Sequence, residues 1–239
     1  MRWLLLALAI VAGCDDTKST PDLPYADMGV DRDLDAPDAE NPDLSITATR
    51  LFPTENAPGT ALGACPYASP LAYDSVILQA AGSDIVALDP NDGSQAWRLT
   101  LPAPDGESAV IIGTPALVRD KLVVAYYTTD TDQAGDAQPS RLRHRVSVVD
   151  LDTRALDPMF ETIELEGTLP ATGGGTVTFL PSNALARAEV VIGRQAGETF
   201  GRAYVTFGNV RDIQPWHGFA FEINLDAWAR ARTPYRAVW

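Results

Sequence analysis

Cysteine and histidine are nearly absent. Two of each in 239 residues leave no cluster of Cys and His ligands for zinc. Positive charge is scarce too: 18 Lys and Arg face 32 Asp and Glu, a formal net charge of −14. A surface of that sign repels phosphates, which argues against nucleic acid as a partner. No apolar run is long enough to span a bilayer. Trp3–Val11, behind the charged Met1-Arg2, is too short to cross ~30 Å of hydrocarbon as a helix. Signatures of catalysis and metal binding are also missing. There is no Gly-x-Ser-x-Gly elbow and no His-rich pattern. Thr172-Gly173-Gly174-Gly175-Thr176 lacks the Lys-Ser/Thr of a phosphate loop and precedes no helix, so it reads as a flexible turn. Asp31-x-Asp33-x-Asp35 starts like a calcium loop, but Ala36 and Pro42 stand where Gly and Glu are needed. Asp130-x-Asp132-x-x-Gly135-Asp136 also fails, because Ala134 and Arg141 stand at positions five and twelve, where negative charge is needed.

The chain does have a 46% hydrophobic composition, with 18 Pro and 18 Gly spread along it. That mixture predicts a sizeable core built from many short segments. The organising stretch is 85–97. Ile85, Val86, Ala87 and Leu88 form an apolar run that reads as a buried strand. Asp89-Pro90-Asn91-Asp92-Gly93 is a turn: Pro presets φ, Asn and Asp bond their own backbone, and Gly accepts positive φ. Trp97 then opens a second strand. The spacing Ala87-x-Asp89-x-x-Asp92-Gly93-x-x-x-Trp97 resembles the tryptophan-docking motif of quinoprotein-alcohol-dehydrogenase-like β-propellers, with Asp92 in place of the usual Thr. The resemblance implies that Ala87, Asp89, Gly93 and Trp97 dock one blade on the next. It is specific for a repeat architecture and not for catalysis.

The pattern recurs. Thr114-Pro115-Ala-Leu-Val118 matches Ser69-Pro70-Leu-Ala-Tyr73, and the prolines lie 115 − 70 = 45 residues apart, a blade-like period. Pro70 to Asp89 spans 19 positions and Pro115 to Asp150 spans 35. The surplus falls in the polar stretch 128–140. In the second unit Arg154 replaces the docking Gly and no Trp follows. A third unit is expected from Gly175-Thr-Val-Thr-Phe179, with strands at 189–192, 203–207 and 219–223. Pro215-Trp-His-Gly-Phe219 through Asn224 is similar to a segment of propellers of the same group. Residues 226–232 read as a blade-edge loop rather than a helical turn, and Tyr235 onward as a strand start. The expected fold is therefore all-β: a β-propeller of four-stranded antiparallel blades. It is incomplete at about three to four blades, since such rings typically close with 4–8. The sequence is expected to be a truncated piece.

At the N-terminus Val11-Ala12-Gly13-Cys14 resembles the bacterial lipobox, which implies cleavage before Cys14 and its acylation. Residues 1–13 are then a lipoprotein signal peptide. Residues 14–45 are a disordered acidic tether, where ten acidic residues face only Lys18 and Arg32. Residues 46–239 are the partial propeller. The expected place is the cell envelope, lipid-anchored, with the membrane and protein partners as contacts. With Cys14 acylated, Cys65 has no partner in the chain and reads as a buried, inert thiol. His144 lies in the basic run Arg141–Arg145, read as a solvated strand edge. Trp216, His217 and Gly218 are candidates to line a pocket. No catalytic residue and no metal ligand is assigned, and no cofactor is expected. Pyrroloquinoline quinone with calcium belongs only to an alternative reading, implied by the resemblance, in which an envelope dehydrogenase is completed by further sequence.

Overall fold

A computed structural model of the chain describes residues 59–130, 142–186, 188–209 and 218–230, and the backbone of 235–238. Cys14, Trp216 and His217 lie outside the described residues, whereas Gly218 is described and exposed.

The first sheet is a four-stranded antiparallel meander: β1 (Leu71–Tyr73), β2 (Val76–Ala81), β3 (Asp84–Leu88) and β4 (Gln95–Thr100). The turn between β3 and β4 is held by its own side chains. Asp89 accepts from the Asn91 backbone and side-chain nitrogens at 2.8 and 2.9 Å, and Asp92 accepts from Ser94 N at 2.8 Å. Gly93 takes φ 72 there, the left-handed region that favours glycine. Trp97 stands opposite Ala87, with a register shift between Ala87 and Leu88.

The second sheet is centred on two long strands, β7 (Lys121–Asp130) and β8 (Arg143–Asp150). Each has two short partners, one per end. β7 pairs with β6 (Ala116–Val118) near its start and with β5 (Glu107–Val110) near its end. β8 pairs with β10 (Ile163–Glu164) near its start and β9 (Ala155–Leu156) near its end. Strand alternation divides the apolar side chains between two faces. Leu122, Val124 and Val149 join Leu78, Ala80, Ile85 and Ala87 of the first sheet. Val123, Ala125, Val146 and Val148 face the other way. Trp97 is half-buried and packs against the first of these clusters.

The third sheet accepts the second face. β15 (Arg202–Asn209) pairs with β14 (Val191–Gly193) and β13 (Ala184–Leu185) on one side and with β16 (Phe219–Asn224) on the other; β17 (Tyr235–Val238) follows β16. Ala203, Val205, Phe207, Phe221 and Ile223 bury against the second sheet. The third unit does not begin at 175 as expected. Thr176–Thr178 is β12, and it pairs only with β11 (Thr168–Pro170) as a separate hairpin between the second and third sheets in sequence. The Gly-rich stretch is the turn of that hairpin, with Gly173, Gly174 and Gly175 at φ 93, 102 and 84.

Residues 225–228 correct a second expectation. They form a helical turn, α1 (Leu225–Trp228), because Asn224 accepts from Ala227 N at 2.8 Å and caps it. Asp226 in its first turn accepts from the backbone N–H groups of Thr199, Phe200 and Gly201. Trp228 is 4% exposed, meets Phe160 edge-on at 5.3 Å and donates Nε1–H to Glu161 O at 3.0 Å. The strap before β1 is pinned over the outer side of the first sheet. Arg98 donates to Ala61 O and Leu62 O, Leu62 joins Ile77, Ala81, Val86 and Leu88, and Gln79 Nε2 donates to Ala68 O at 2.9 Å.

Candidate functional site

A concave surface among the described residues lies at the β11–β12 hairpin, beside the start of β8. On one flank a cavity of about 690 Å³ is lined by Arg143, Glu164, Glu166, Thr168 and Thr178. On the other a smaller groove of about 200 Å³ runs beside β12. Both are walled by Thr178 and Phe179.

The charges of the larger cavity are organised. Glu164, opposite Arg145 in the register, accepts from Arg143 Nε at 3.0 Å and Arg145 Nη2 at 3.2 Å. Arg145 Nε also donates to Thr128 Oγ1 at 3.1 Å. The arrangement can present fixed donors and acceptors to a polar ligand.

The wall between the two hollows hangs on His144. The expectation of a solvated basic edge is wrong at this residue: its exposure is 2%. Arg143 is exposed and Arg145 half-buried on the opposite face, whereas alternation puts His144 on the face of Val146 and Val148. There its ring meets Phe207 at 4.7 Å and Phe179 at 5.7 Å. Nε2 lies 3.2 Å from Pro181 O and 3.0 Å from Ala184 O. Both are acceptors, so this nitrogen carries the proton and donates. Burial lowers its pKa from 6.5 to about 4, against the opposing effect of the two carbonyls. The missed signal was the alternation itself, since Val146 and Val148 mark the inward parity.

A second ionic cluster lies at the far end of the same sheet. Lys121 Nζ, 8% exposed as a residue, sits 2.6 Å from Asp150, 2.9 Å from Asp120 and 3.1 Å from Asp157. Burial alone would depress the ammonium; hydrogen bonds to the three carboxylates outweigh it and raise its pKa. The bond from Lys121 is also the main reason Asp150 is held at about 2. The cluster ties β7 to the ends of β6, β8 and β9, so its part is structural.

The remaining sequence-derived positions stay apart from the hollows. Ala87, Asp89, Gly93 and Trp97 belong to the first sheet. Cys65 is half-buried and disulfide-bonded, which corrects the reading of it as a buried inert thiol.

The fold defines the class: stacked antiparallel sheets of an incomplete β-propeller. No family model and no curated protein sequence matches the chain. Among solved structures it is similar to a europium-containing methanol dehydrogenase, at 22% identity and a TM-score of 0.31, covering 41% of this chain and 15% of that one. It is also similar to the quinohemoprotein alcohol dehydrogenase ADHIIG from Pseudomonas putida HK5, at 17% identity and a TM-score of 0.40, covering 71% of this chain and 25% of that one. The chain thus spans a quarter or less of the length of these structures. The expectation that no cofactor is involved is corrected by this finding, because both proteins are named for cofactors they contain. Among the described residues no group of three or more His, Cys, Asp or Glu could hold a metal ion, so none is assigned to such a group. No described helix is long and apolar enough to cross a membrane.

Proposed function

We propose that this protein is a lipid-anchored module of the bacterial cell envelope that binds other proteins. The supporting observation is the pair of hollows on either side of the β11–β12 hairpin, which offer paired charges and hydroxyls on one flank and an uncharged groove on the other. The Arg143–Glu164–Arg145 bonds fix the polar flank in advance of any ligand, and such preorganisation favours recognition. The lipobox-like Val11–Cys14 and the acidic stretch behind it carry the anchoring part of the reading.

The intact mass of the protein extracted from membranes tests the anchor. Cleavage before Cys14 with added acyl chains is the expected result. Because the chain has only two cysteines, acylation of Cys14 requires that the bond of Cys65 run to another chain; an unacylated chain two hydrogens light, with Cys14 and Cys65 bonded to each other, overturns the anchor. Cross-linking in intact envelopes tests the binding part, with Arg143→Glu as the comparison. Specific protein adducts lost on charge reversal are expected. Dye-linked alcohol dehydrogenase activity with no such adducts would replace this reading with an enzymatic one.

A further inference from the structure

The hairpin beside the smaller groove has two unequal edges. Its register is Thr168↔Thr178, Leu169↔Val177 and Pro170↔Thr176. Two hydrogen bonds fix the phase of the ladder: Phe179 N–H to Gly167 O at 2.8 Å and Ala171 N–H to Gly175 O at 3.1 Å. Bonded and non-bonded pairs alternate along an antiparallel ladder. Leu169 and Val177 are therefore a bonded pair, while Thr168·Thr178 and Pro170·Thr176 are not. The 3.2 Å approach of the Thr168 and Thr178 hydroxyls fits a non-bonded pair, whose side chains stand closer. The main-chain N–H and C=O groups of Thr176 and Thr178 consequently point away from β11.

On the β11 edge the outward groups belong to Thr168 and Pro170, and proline has no N–H to offer, a usual way of blunting an edge. The β12 edge has no such protection. It presents two complete donor–acceptor sets, and no described residue bonds them. The groove of about 200 Å³ lies along this edge, bounded by Thr176, Thr178 and Leu180 and by Ala184, Asn209 and Phe219. None of its described lining residues is charged. Leu180 is 49% exposed there.

We propose that the β12 edge is a strand-addition site for an extended, uncharged peptide segment of a partner protein. Only an extended backbone meets outward donors and acceptors repeating every second residue. An apolar side chain of that segment seats over Leu180 and Phe219, where a charged one would be desolvated without a counter-ion. The proposal rests on the protein-binding reading above and gives it a site.

The test uses the whole chain with an uncharged Val/Thr octapeptide as probe, and a Lys/Glu octapeptide as control. Amide exchange is read by NMR. Binding of the Val/Thr probe should slow the Thr176 and Thr178 amides by about tenfold or more, with little change at Leu169 and Val177, which are already bonded. Thr178→Pro removes an outward N–H without touching the β11 ladder, and Leu180→Asp charges the groove. Each should weaken probe binding by about tenfold. Equal binding of both peptides, or probe affinity unchanged in both variants, overturns the site. So does protection of these amides before any probe is added, which would assign the groove to the chain itself or, if concentration-dependent, to a second copy. Envelope adducts that persist in Thr178→Pro would sink the edge site alone. Absence of adducts in every form, with the probe still bound at the edge, would sink the envelope reading alone.

Discussion

At the scale of single residues, His144 carries the clearest consequence. Its folded pKa of about 4 lies below the unfolded value of 6.5, so the unfolded chain binds the extra proton first. Its contribution is fully present above pH 6.5, falls as pH drops through the window from 6.5 to 4, and is lost below that. The full shift corresponds to roughly 3 kcal/mol. Urea unfolding at pH 7.5 and pH 4.5 should show most of this loss. His144→Gln, less stable at neutral pH, should flatten that part of the profile. Asp150, held at about 2, has its own loss further down, below pH 4. Backbone conformation gives a second prediction. Arg154 adopts φ 59 at the position where the first sheet has Gly93 at φ 72. The turn survives the loss of glycine at the cost of a left-handed arginine. Arg154→Gly should stabilise the protein by about 0.5–1 kcal/mol, read from the urea midpoint at constant m-value.

At the scale of elements, the hairpin 85–101, the doubled strands β7 and β8 and the strand β16 were legible in the sequence. Each has apolar alternation or a run ended by turn residues. The 45-residue offset is visible again in the backbone: Asp74 and Arg119, 45 positions apart, take φ 49 and 57 in matching two-residue turns. What escaped was decided by tertiary context. His144 sits in a charged run, and its inward parity, marked in the sequence by Val146 and Val148, is enforced by the packing of the third sheet. β11 and β12 are three-residue strands, too short to carry a period. α1 depends on a cap from Asn224, on three backbone N–H groups that Asp226 accepts from, and on the second unit as partner for Trp228. That partner is informative. The second unit lacks a docking indole, with Pro158 where it would stand. Trp228 reaches Phe160 and Glu161 O of that unit from the third sheet instead. An indole still clamps the interface, donated from the opposite side. Trp228→Ala should cost about 3–5 kcal/mol. Trp97→Ala should cost less, because Trp97 is only half-buried; thermal unfolding of the two variants checks the order.

At the scale of the whole molecule, the three sheets are not equivalent. The second is buried on both faces, by the first sheet on one side and the third on the other. Native-state hydrogen exchange should therefore be slowest at Val123–Ala125 and Val146–Val149, and faster in β4 and β14, which line the outside. Amides of β7 and β8 that exchange before those of β4 would contradict the stacking described. The strap at 61–68 completes the picture. It meets the first sheet through two carbonyls on one guanidinium, through the buried Leu62 and Ala68 and through one glutamine contact, whereas the strands beneath are laced along their length. Tension entering from the N-terminal side would therefore meet its weakest fastening at Arg98. The strap would peel away as a slack reserve, sparing the β1–β4 meander the first pull.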